Sequence, residues 1–569
     1  MSAQTGTASI PPPPTSVRGA ARARVAWARQ FSDPNPVWMR ELRQSARLTR
    51  TPIILAAVTG MMTLLICSVG GVASVSAEPA RVGVGIFHTF FSLAFVVVTW
   101  VGPAVAAHTI AGERSGRTWE ALQLTSLSPA SIARGKFLAA YTYISLYVIM
   151  LAPVGVLPFL FGGITATEVL LAFVWLFLFA GLSVAFGLAV SSKFSSPAAA
   201  IIVTLLVALP ASMFVFSAGG VGLSMVAHRA WPGIPEGPPV WLPGAYLRAE
   251  FGLPYLAFLV FLPLVLLALP AWLLYEVTVA NMSAPSDDRS TRLRIWFLVS
   301  APVLALTAIA VILGGKTDEW VYASTTFIWV FGCFAVFLFA GEPLGPSQRV
   351  LTHWERSGRG GLGRFLGPGL VRASVLLFLL TAFALSLSGA VGSLVNTHPN
   401  ERDALVAFHG YALAFFAFVV GFMVWARSRA HGAGTPRVLL VVALFFAFVG
   451  PWIAMAIAGV LSSTPDHALV LAAPSPTFTI AMISAIKTDA PERGALLLGG
   501  TVCAAAWALI GAGLLTLGSA RAKKRLDEDA ARHARMQAAL AAEDAENNSA
   551  GKDAGPPPQR AEQVPETAG

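Results

Sequence analysis

Charged side chains are scarce in this sequence. They make up 12% of its 569 residues, about half of the ~25% that is typical of soluble domains. The shortage is concentrated in repeated apolar runs of about 20 residues, the length that crosses the hydrocarbon core of a bilayer. A membrane β-barrel would instead show alternating segments of about ten residues. The composition therefore predicts an all-α polytopic membrane protein.

Cysteine is also rare. The three cysteines, Cys67, Cys333 and Cys503, lie far apart within apolar runs. This placement gives neither a disulfide framework nor the ligand spacing of a zinc site. We therefore expect three packed, unpaired thiols.

Two features that couple energy to transport are missing. Carriers driven by protons or sodium ions place ionisable residues at mid-membrane, but here Glu168, Glu276, His88 and His409 fall near the ends of apolar runs. The nearest approach to a phosphate loop, "AVILGGKT" at residues 310–317, lacks the first glycine of that motif. We therefore expect no catalytic residue, no metal site and no ATP-binding site in this chain.

Twelve apolar runs are long enough to span a membrane. With the N-terminus placed inside, all but seven of the 39 lysines and arginines fall on the inner side. Because cytoplasmic loops are enriched in these residues, both termini are predicted to be cytoplasmic. The same bias explains the net charge of +10 without a nucleic-acid partner. The predicted spans start near Pro52, Gly83, Phe137, Thr167, Pro197, Gly252, Ile295, Trp320, Val371, Leu405, Val438 and Gly494.

The two halves of the chain resemble each other. The longest outer segments, residues 217–250 and 462–493, follow the fifth and eleventh spans, and prolines interrupt both. The longest inner loops follow the second and eighth spans, and both open with Ala-Gly-Glu, at residues 111–113 and 340–342. These matches predict a six-plus-six arrangement. The predicted segments are a disordered tail (1–34), an amphipathic helix (35–50), a first six-span half (51–280), a second, diverged half (281–520) and a helical, then disordered tail (521–569).

The stretch before the first span, "NPVWMRELRQSARLTR", predicts a helix on the inner membrane surface. Asn35 suits the N-cap and Pro36 the first helical position. Apolar residues fall on one side of this helix and arginines on the other, as in interfacial helices near anionic lipids. It is either a basic anchor that fixes topology or, in addition, a docking surface for a cytoplasmic partner. The residues of interest are Trp38, Arg40, Glu41, Arg43 and Arg47.

The inner loop after the second span, residues 108–136, reads like soluble protein. In "AGERSGRTWEALQLTSLSPASIARGKF", residues 116–125 can form a short helix. Ser128 and Pro129 then start a second helix that continues through Lys136 into the third span. The loop is therefore predicted to be a rigid helical elbow. Its Trp119 and Leu122 should pack either on a partner or on the chain's own helix ends.

These two stretches resemble the permeases of ABC-2 type transporters, most closely over residues 35–137. The family pattern is an Glu-Arg-x-x-Gly-Thr-x-Glu-x-Leu run followed by a Ser-Pro helix start and Gly-Lys. Arg117 departs from this pattern. The residues that the resemblance assigns to a contact with a separate ATPase are Glu113, Arg114, Gly116, Trp119, Glu120 and Leu122.

The resemblance implies an ATP-driven exporter in the bacterial plasma (inner) membrane. ATP and Mg²⁺ would be bound by the separate cytoplasmic ATPase, and no cofactor is expected in this chain. A major-facilitator-like secondary carrier and a membrane scaffold without transport activity stay open as alternatives. The substrate is not readable from the sequence, and the chain could either work alone or pair with a copy or a second permease.

The inner loop after the eighth span is the counterpart of the elbow. Residues 355–359, "ERSGR", repeat residues 113–117. Several glycines follow, and they disfavour a continuing helix. This loop is either a diverged coupling element or a solvated basic loop.

Overall fold

The computed structural model describes residues 34–46, 50–75, 77–125, 127–315, 317–358, 360–395, 398–461 and 465–553. Arg47 and nearly all of the predicted N-terminal tail lie outside the described residues, as do residues 554–569. Within the described ranges, helices are the only regular secondary structure. The chain forms two compact units, Met1–Ser324 and Thr325–Gly569.

The first unit begins with a short helix and continues with long apolar ones. Its helices are α1 (Pro36–Ala46), α2 (Arg50–Ser74), α3 (Pro79–Ser115), α4 (Thr118–Leu124), α5 (Pro129–Met150), α6 (Ala152–Gly155), α7 (Leu157–Phe161), α8 (Ala166–Ser191), α9 (Pro197–Phe214), α10 (Leu223–Ala230), α11 (Leu242–Arg248), α12 (Leu262–Met282) and α13 (Ser290–Gly315). Two π-helical stretches, Val215–Gly222 and Tyr255–Phe261, lead into α10 and α12.

Helix α14 (Asp318–Phe339) crosses the division between the units. The helices that follow it in the second unit are α15 (Gln348–Arg356), α16 (Gly361–Phe365), α17 (Leu370–Val395), α18 (Pro399–Arg429), α19 (Gly434–Leu461), α20 (Phe478–Lys487) and α21 (Arg493–Asp553). A 3-10 helix, Pro465–Ala472, precedes α20.

Eleven of the described helices are long and apolar enough to cross a membrane, or twelve if one bent pair counts as a span. That pair is α5 with α6–α7, bent by 46°. Each predicted span coincides with one of these helices or with the bent pair. The prediction of an all-α polytopic membrane protein is confirmed.

Prolines and glycines explain much of the helix layout. Pro79, Pro129 and Pro197 stand at the first turn of their helices, where the missing amide costs nothing. In the first unit, Gly187 of α8 lies directly against the backbone of Pro103 in α3, with no room for a Cβ. Small residues at such crossings allow membrane helices to approach closely.

The first unit extends beyond the sixth predicted span. Helix α13 packs on α12, since the indole of Trp296 donates to the carbonyl of Leu269 at 2.9 Å. Arg292 also pairs with Glu276 at 3.2 Å. The six-plus-six reading divides the spans after residue 280, whereas the compact units divide after Ser324.

Candidate functional site

The predicted elbow is built from three helices. Helix α3 runs unbroken to Ser115, and the chain then turns at Gly116 and Arg117, whose φ of 56° lies in the left-handed region. The short helix α4 follows. The Ser128 side chain caps α5 by accepting from the Ser131 amide at 3.2 Å, as predicted from the Ser-Pro pair.

A buried lysine holds the elbow together. The Lys136 side chain on α5 is 0% exposed, and its Nζ lies 3.1 Å from Glu41 Oε1 and 3.0 Å from Glu113 Oε2. Arg40 pairs with the same two carboxylates, Glu41 at 3.1 Å and Glu113. Lys136 also donates to the carbonyl of Thr109 at 3.3 Å. We call Arg40, Glu41, Glu113 and Lys136 the Lys136 cluster.

The Lys136 cluster balances its own charge, with two cations and two carboxylates. A buried ammonium is tolerated only when it is paired and hydrogen-bonded. Burial of Glu41 would raise the pKa of its carboxyl, but Lys136 and Arg40 outweigh burial and hold that pKa below its ordinary value. Burial lowers the pKa of the Arg40 guanidinium, but Glu41 and Glu113 outweigh it and raise that pKa above its ordinary value. Both side chains therefore stay charged.

Helix α1 is docked on the first turns of α5. Asn35 caps α1 as predicted, accepting from the Val37 amide at 3.0 Å, and its own amide donates to the Ser131 carbonyl at 2.8 Å. Val37 is buried against Gly135, where a Cβ would lie 2.7 Å from Val37 Cβ and 2.6 Å from Asn35 Oδ1. The predicted interfacial helix is thus tied to the elbow.

Most residues assigned to the ATPase contact face the chain itself. Leu122 is buried and Trp119 is half-buried against the apolar core of the first unit. The Arg114 guanidinium lies 5.3 Å from the centre of the Trp119 ring and donates to the Ser192 carbonyl at 2.8 Å. The Glu113 carboxylate belongs to the Lys136 cluster. The packing of Trp119 and Leu122 on the chain's own helices was the second of the two sequence interpretations.

The outward face of α4 carries a different set of residues. Glu120 and Gly116 are exposed, as a contact role requires, and so are Arg117, Ala121 and Leu124. Leu124 is 88% exposed. Glu120, Ala121 and Leu124 lie on one face of α4 at i, i+1 and i+4, and Arg117 stands at the N-cap of this helix. We call these four residues the α4 surface.

The remaining residues of α1 divide between the cluster and solvent. Arg40 and Glu41 belong to the Lys136 cluster, whereas Arg43 is exposed and Trp38 is half-buried. The arginines of α1 therefore have different surroundings. Arg40 forms ion pairs within the chain, whereas Arg43 faces solvent. Arg47 lies outside the described residues.

Three of the ionisable residues near the ends of the spans, Glu168, Glu276 and His409, have partners within the chain. Glu168 forms a capping box with Thr165 and pairs with Arg248 of α11 at 2.9 Å. In the second unit, His409 contacts the Thr325 hydroxyl at 2.8 Å and the Leu405 carbonyl at 2.8 Å. These contacts are those of structural, hydrogen-bonded side chains.

The segment predicted to lie outside, residues 217–250, is folded. The Trp241 indole donates to the Gly219 carbonyl at 3.0 Å, and the Tyr246 hydroxyl donates to the Leu259 carbonyl at 2.6 Å. Ile234 and Trp241 are buried in a small apolar cluster of this segment. Pairing of Arg248 with Glu168 joins this segment to the first turn of α8.

Comparison with known families gives a match within the first unit. Residues 52–234 match the family described as ABC-2 family transporter protein. No curated protein matches the chain. The match includes the elbow and ends before the second unit begins. The resemblance to ABC-2 transporter permeases is therefore confirmed over residues 52–234, about a third of the chain.

Proposed function

We propose that this chain is the permease subunit of an ATP-driven exporter in the bacterial inner membrane. A separate cytoplasmic ATPase binds ATP and Mg²⁺ and docks on the α4 surface. The observation that carries this proposal is the exposure of Leu124, 88%, beside Arg117 and Glu120 on a rigid elbow. An apolar side chain surrounded by polar groups matches the general arrangement of protein–protein interfaces, an apolar core with a polar rim.

Two connections would transmit a movement of α4 to the spans. Arg114 joins α4 to the end of α3 through the Trp119 ring. The Lys136 cluster joins α3, α5 and α1 through ion pairs of 3.0–3.1 Å. The three helices should therefore move together when the ATPase moves α4, and α3 and α5 pass directly into the membrane.

The docking step is tested by co-purification of the full-length chain with the ATPase. Leu124→Glu should reduce ATPase binding at least tenfold, because it places a charge at the centre of the contact. Leu540→Glu, at an exposed leucine of α21, is the matched control and should bind like the wild type. Equal ATPase binding by wild type and Leu124→Glu would contradict the docking proposal.

The direction and energy source of transport need a separate test. Reconstituted with the ATPase in vesicles, the chain should move substrate only when ATP is present on the side of the elbow. A protonophore should leave this transport unchanged. Transport that runs on a proton gradient without the ATPase would instead favour a secondary carrier.

A further inference from the structure

Four arginines of the second unit lie at the predicted inner ends of its helices. Arg427 and Arg429 stand at the end of α18, Arg437 in the first turn of α19, and Arg525 on the part of α21 that follows its apolar stretch. The topology predicted from the basic residues places all four at the cytoplasmic membrane surface. Their contacts join three helices and the loop that follows α14.

Two of these guanidiniums converge on one carbonyl oxygen. Arg427 Nη1 donates to the Ala430 carbonyl at 3.1 Å, and Arg525 Nη1 donates to the same carbonyl at 3.4 Å. Arg427 Nε also donates to the Glu342 carbonyl at 2.7 Å. Arg525 Nη2 donates to the Arg429 carbonyl at 3.3 Å. Carbonyls at a helix end lack partners within the helix, and these two side chains supply them.

Arg437 contacts the loop after α14 from a different helix. Its Nη2 donates to the Leu338 carbonyl at 3.1 Å. Gly341 lies directly against it, since a Cβ there would stand 2.8 Å from Nη2. The next residue, Glu342, is the one that Arg427 contacts. The start of this inner loop is therefore fixed by contacts within the chain.

The arrangement concentrates positive charge that carboxylates do not balance. Among the described residues, none of the four arginines forms an ion pair. Glu342 is buried, and its carboxylate accepts from the Gly369 amide at 3.3 Å. Half-buried guanidiniums that converge repel each other unless an anion lies close to them.

The guanidiniums also keep hydrogen-bond donors for such an anion. The carbonyl contacts of Arg427, Arg437 and Arg525 use two N–H groups each, whereas a guanidinium has five. The site therefore has both the charge and the donors to bind an anion from outside the chain.

The surroundings of the arginines indicate which anion would bind. Val441 and Phe445 follow Arg437 at one and two turns on the same face of α19, and they are 53% and 58% exposed. They extend the site by ~12 Å of apolar helix. Arg429 lies 4.3 Å from the centre of the Trp425 ring, and tryptophans are enriched at the level of lipid headgroups. A phosphate with an apolar chain attached fits both parts.

We propose that these four arginines bind the phosphate of an anionic phospholipid of the inner leaflet, with an acyl chain lying on Val441 and Phe445. We call Arg427, Arg429, Arg437 and Arg525 the lipid site. Basic pockets between helices on the cytoplasmic side suit such headgroups, and a planar guanidinium donates two parallel hydrogen bonds to a phosphate. The bound phosphate joins the ends of α18, α19 and α21. This site is independent of the ATPase and of the direction of transport.

Native mass spectrometry of the full-length chain in detergent tests the lipid site. Detergent removes the continuous anionic surface, so a lipid that stays bound reports a discrete site. Wild type should retain phosphatidylglycerol, which is anionic, in preference to phosphatidylcholine, which is neutral overall. Arg525→Gln should weaken phosphatidylglycerol binding about tenfold, because charge-assisted hydrogen bonds to the phosphate are lost.

The matched control is Lys523→Gln, which removes the same charge from an exposed position of α21 two residues away. It should bind phosphatidylglycerol like the wild type. Arg525→Lys keeps the charge without the planar fork and should bind with intermediate affinity, so the test does not depend on Arg525→Gln alone. Phe445→Ala should weaken lipid binding without a change of charge. Cooperative thermal unfolding of each lipid-free variant checks that it is folded.

Four results would overturn the proposal. One is equal retention of the two lipids by the wild type, and another is phosphatidylglycerol binding by Arg525→Gln that matches the wild type. Equal losses in Arg525→Gln and Lys523→Gln would indicate diffuse attraction and no site. Inorganic phosphate that raises the unfolding temperature of the wild type as much as phosphatidylglycerol does would identify a soluble anion as the ligand.

Discussion

At the scale of single residues, Lys136 has the greatest influence on the elbow. Its side chain is buried between carboxylates from α1 and α3. Removing one partner of a buried ion pair costs far more than the pair contributes when intact, because the remaining charge stays desolvated. The cluster should therefore respond strongly to single substitutions and weakly to paired ones.

Lys136→Met should lower the free energy of unfolding by about 3 kcal/mol, because Glu41 and Glu113 lose their buried counterion. Thermal unfolding in detergent measures the change. Adding Glu113→Gln to Lys136→Met should restore part of the stability. Arg43→Met, which removes an exposed arginine of α1, is the control and should have no effect. A Lys136→Met variant as stable as wild type would show that the cluster contributes nothing.

The lowered pKa of Glu41 sets the response of the elbow to acid. Because the pKa is lower in the folded state than in the unfolded state, the carboxylate stabilises the fold above the unfolded value, and this stabilisation disappears as the pH falls through the folded value. Wild type should therefore keep the contribution at pH 5 and lose it only below the ordinary glutamate pKa of about 4.3. Glu41→Gln should lack this loss, whereas Glu120→Gln, at an exposed position, should follow wild type in thermal unfolding against pH.

At the scale of elements, the sequence predicted positions better than orientations. The Asn35 and Ser128 caps follow from local chemistry, and the structure confirms both. Leu122 and Trp119 face inward because of the rotation of α4 about its own axis. The turn at Arg117, directly before α4, sets this rotation. The Lys136 cluster joins residues 95 positions apart. No local pattern of a single sequence identifies such a pair.

The docking of α1 on α5 depends on Gly135. Gly135→Ala should cost ~1–3 kcal/mol and separate the two helices, because a Cβ would overlap Asn35 and Val37. A disulfide introduced between α1 and α5 should then form more slowly, which non-reducing gel electrophoresis reports. Gly85→Ala on α3, where a Cβ meets nothing within 4 Å, is the matched control. Unchanged cross-linking in Gly135→Ala would show that the close approach is not required.

At the scale of the whole molecule, two short sequence repeats occur in both units. The Ala-Gly-Glu tripeptide lies within α3 in the first unit but directly after the end of α14 in the second, so the two copies are not structurally equivalent. The "ERSGR" match is different, since it ends α3 in the first unit and α15 in the second. The described part of the pentapeptide stands at a helix end in both places and is not a duplicated contact.

The orientation of the chain is predicted from its basic residues and can be tested by labelling. In a background with Cys67, Cys333 and Cys503 replaced by alanine, an impermeant maleimide should label E236C in intact cells. L540C should react only after permeabilisation, because the basic segments are expected to lie inside. Labelling of L540C in intact cells would reverse the predicted topology.

The unbroken course of α3 has a mechanical consequence. Helix α3 lies directly against α8 at Pro103, which meets Gly187. At 1.5 Å per residue, about 18 Å of helix lies between Pro103 and Ser115 and about 36 Å between Pro103 and Pro79. If that contact acts as a fulcrum, α3 is a lever with its longer arm on the far side. A displacement of the elbow would then reappear at the opposite end of α3, reversed in direction and roughly doubled.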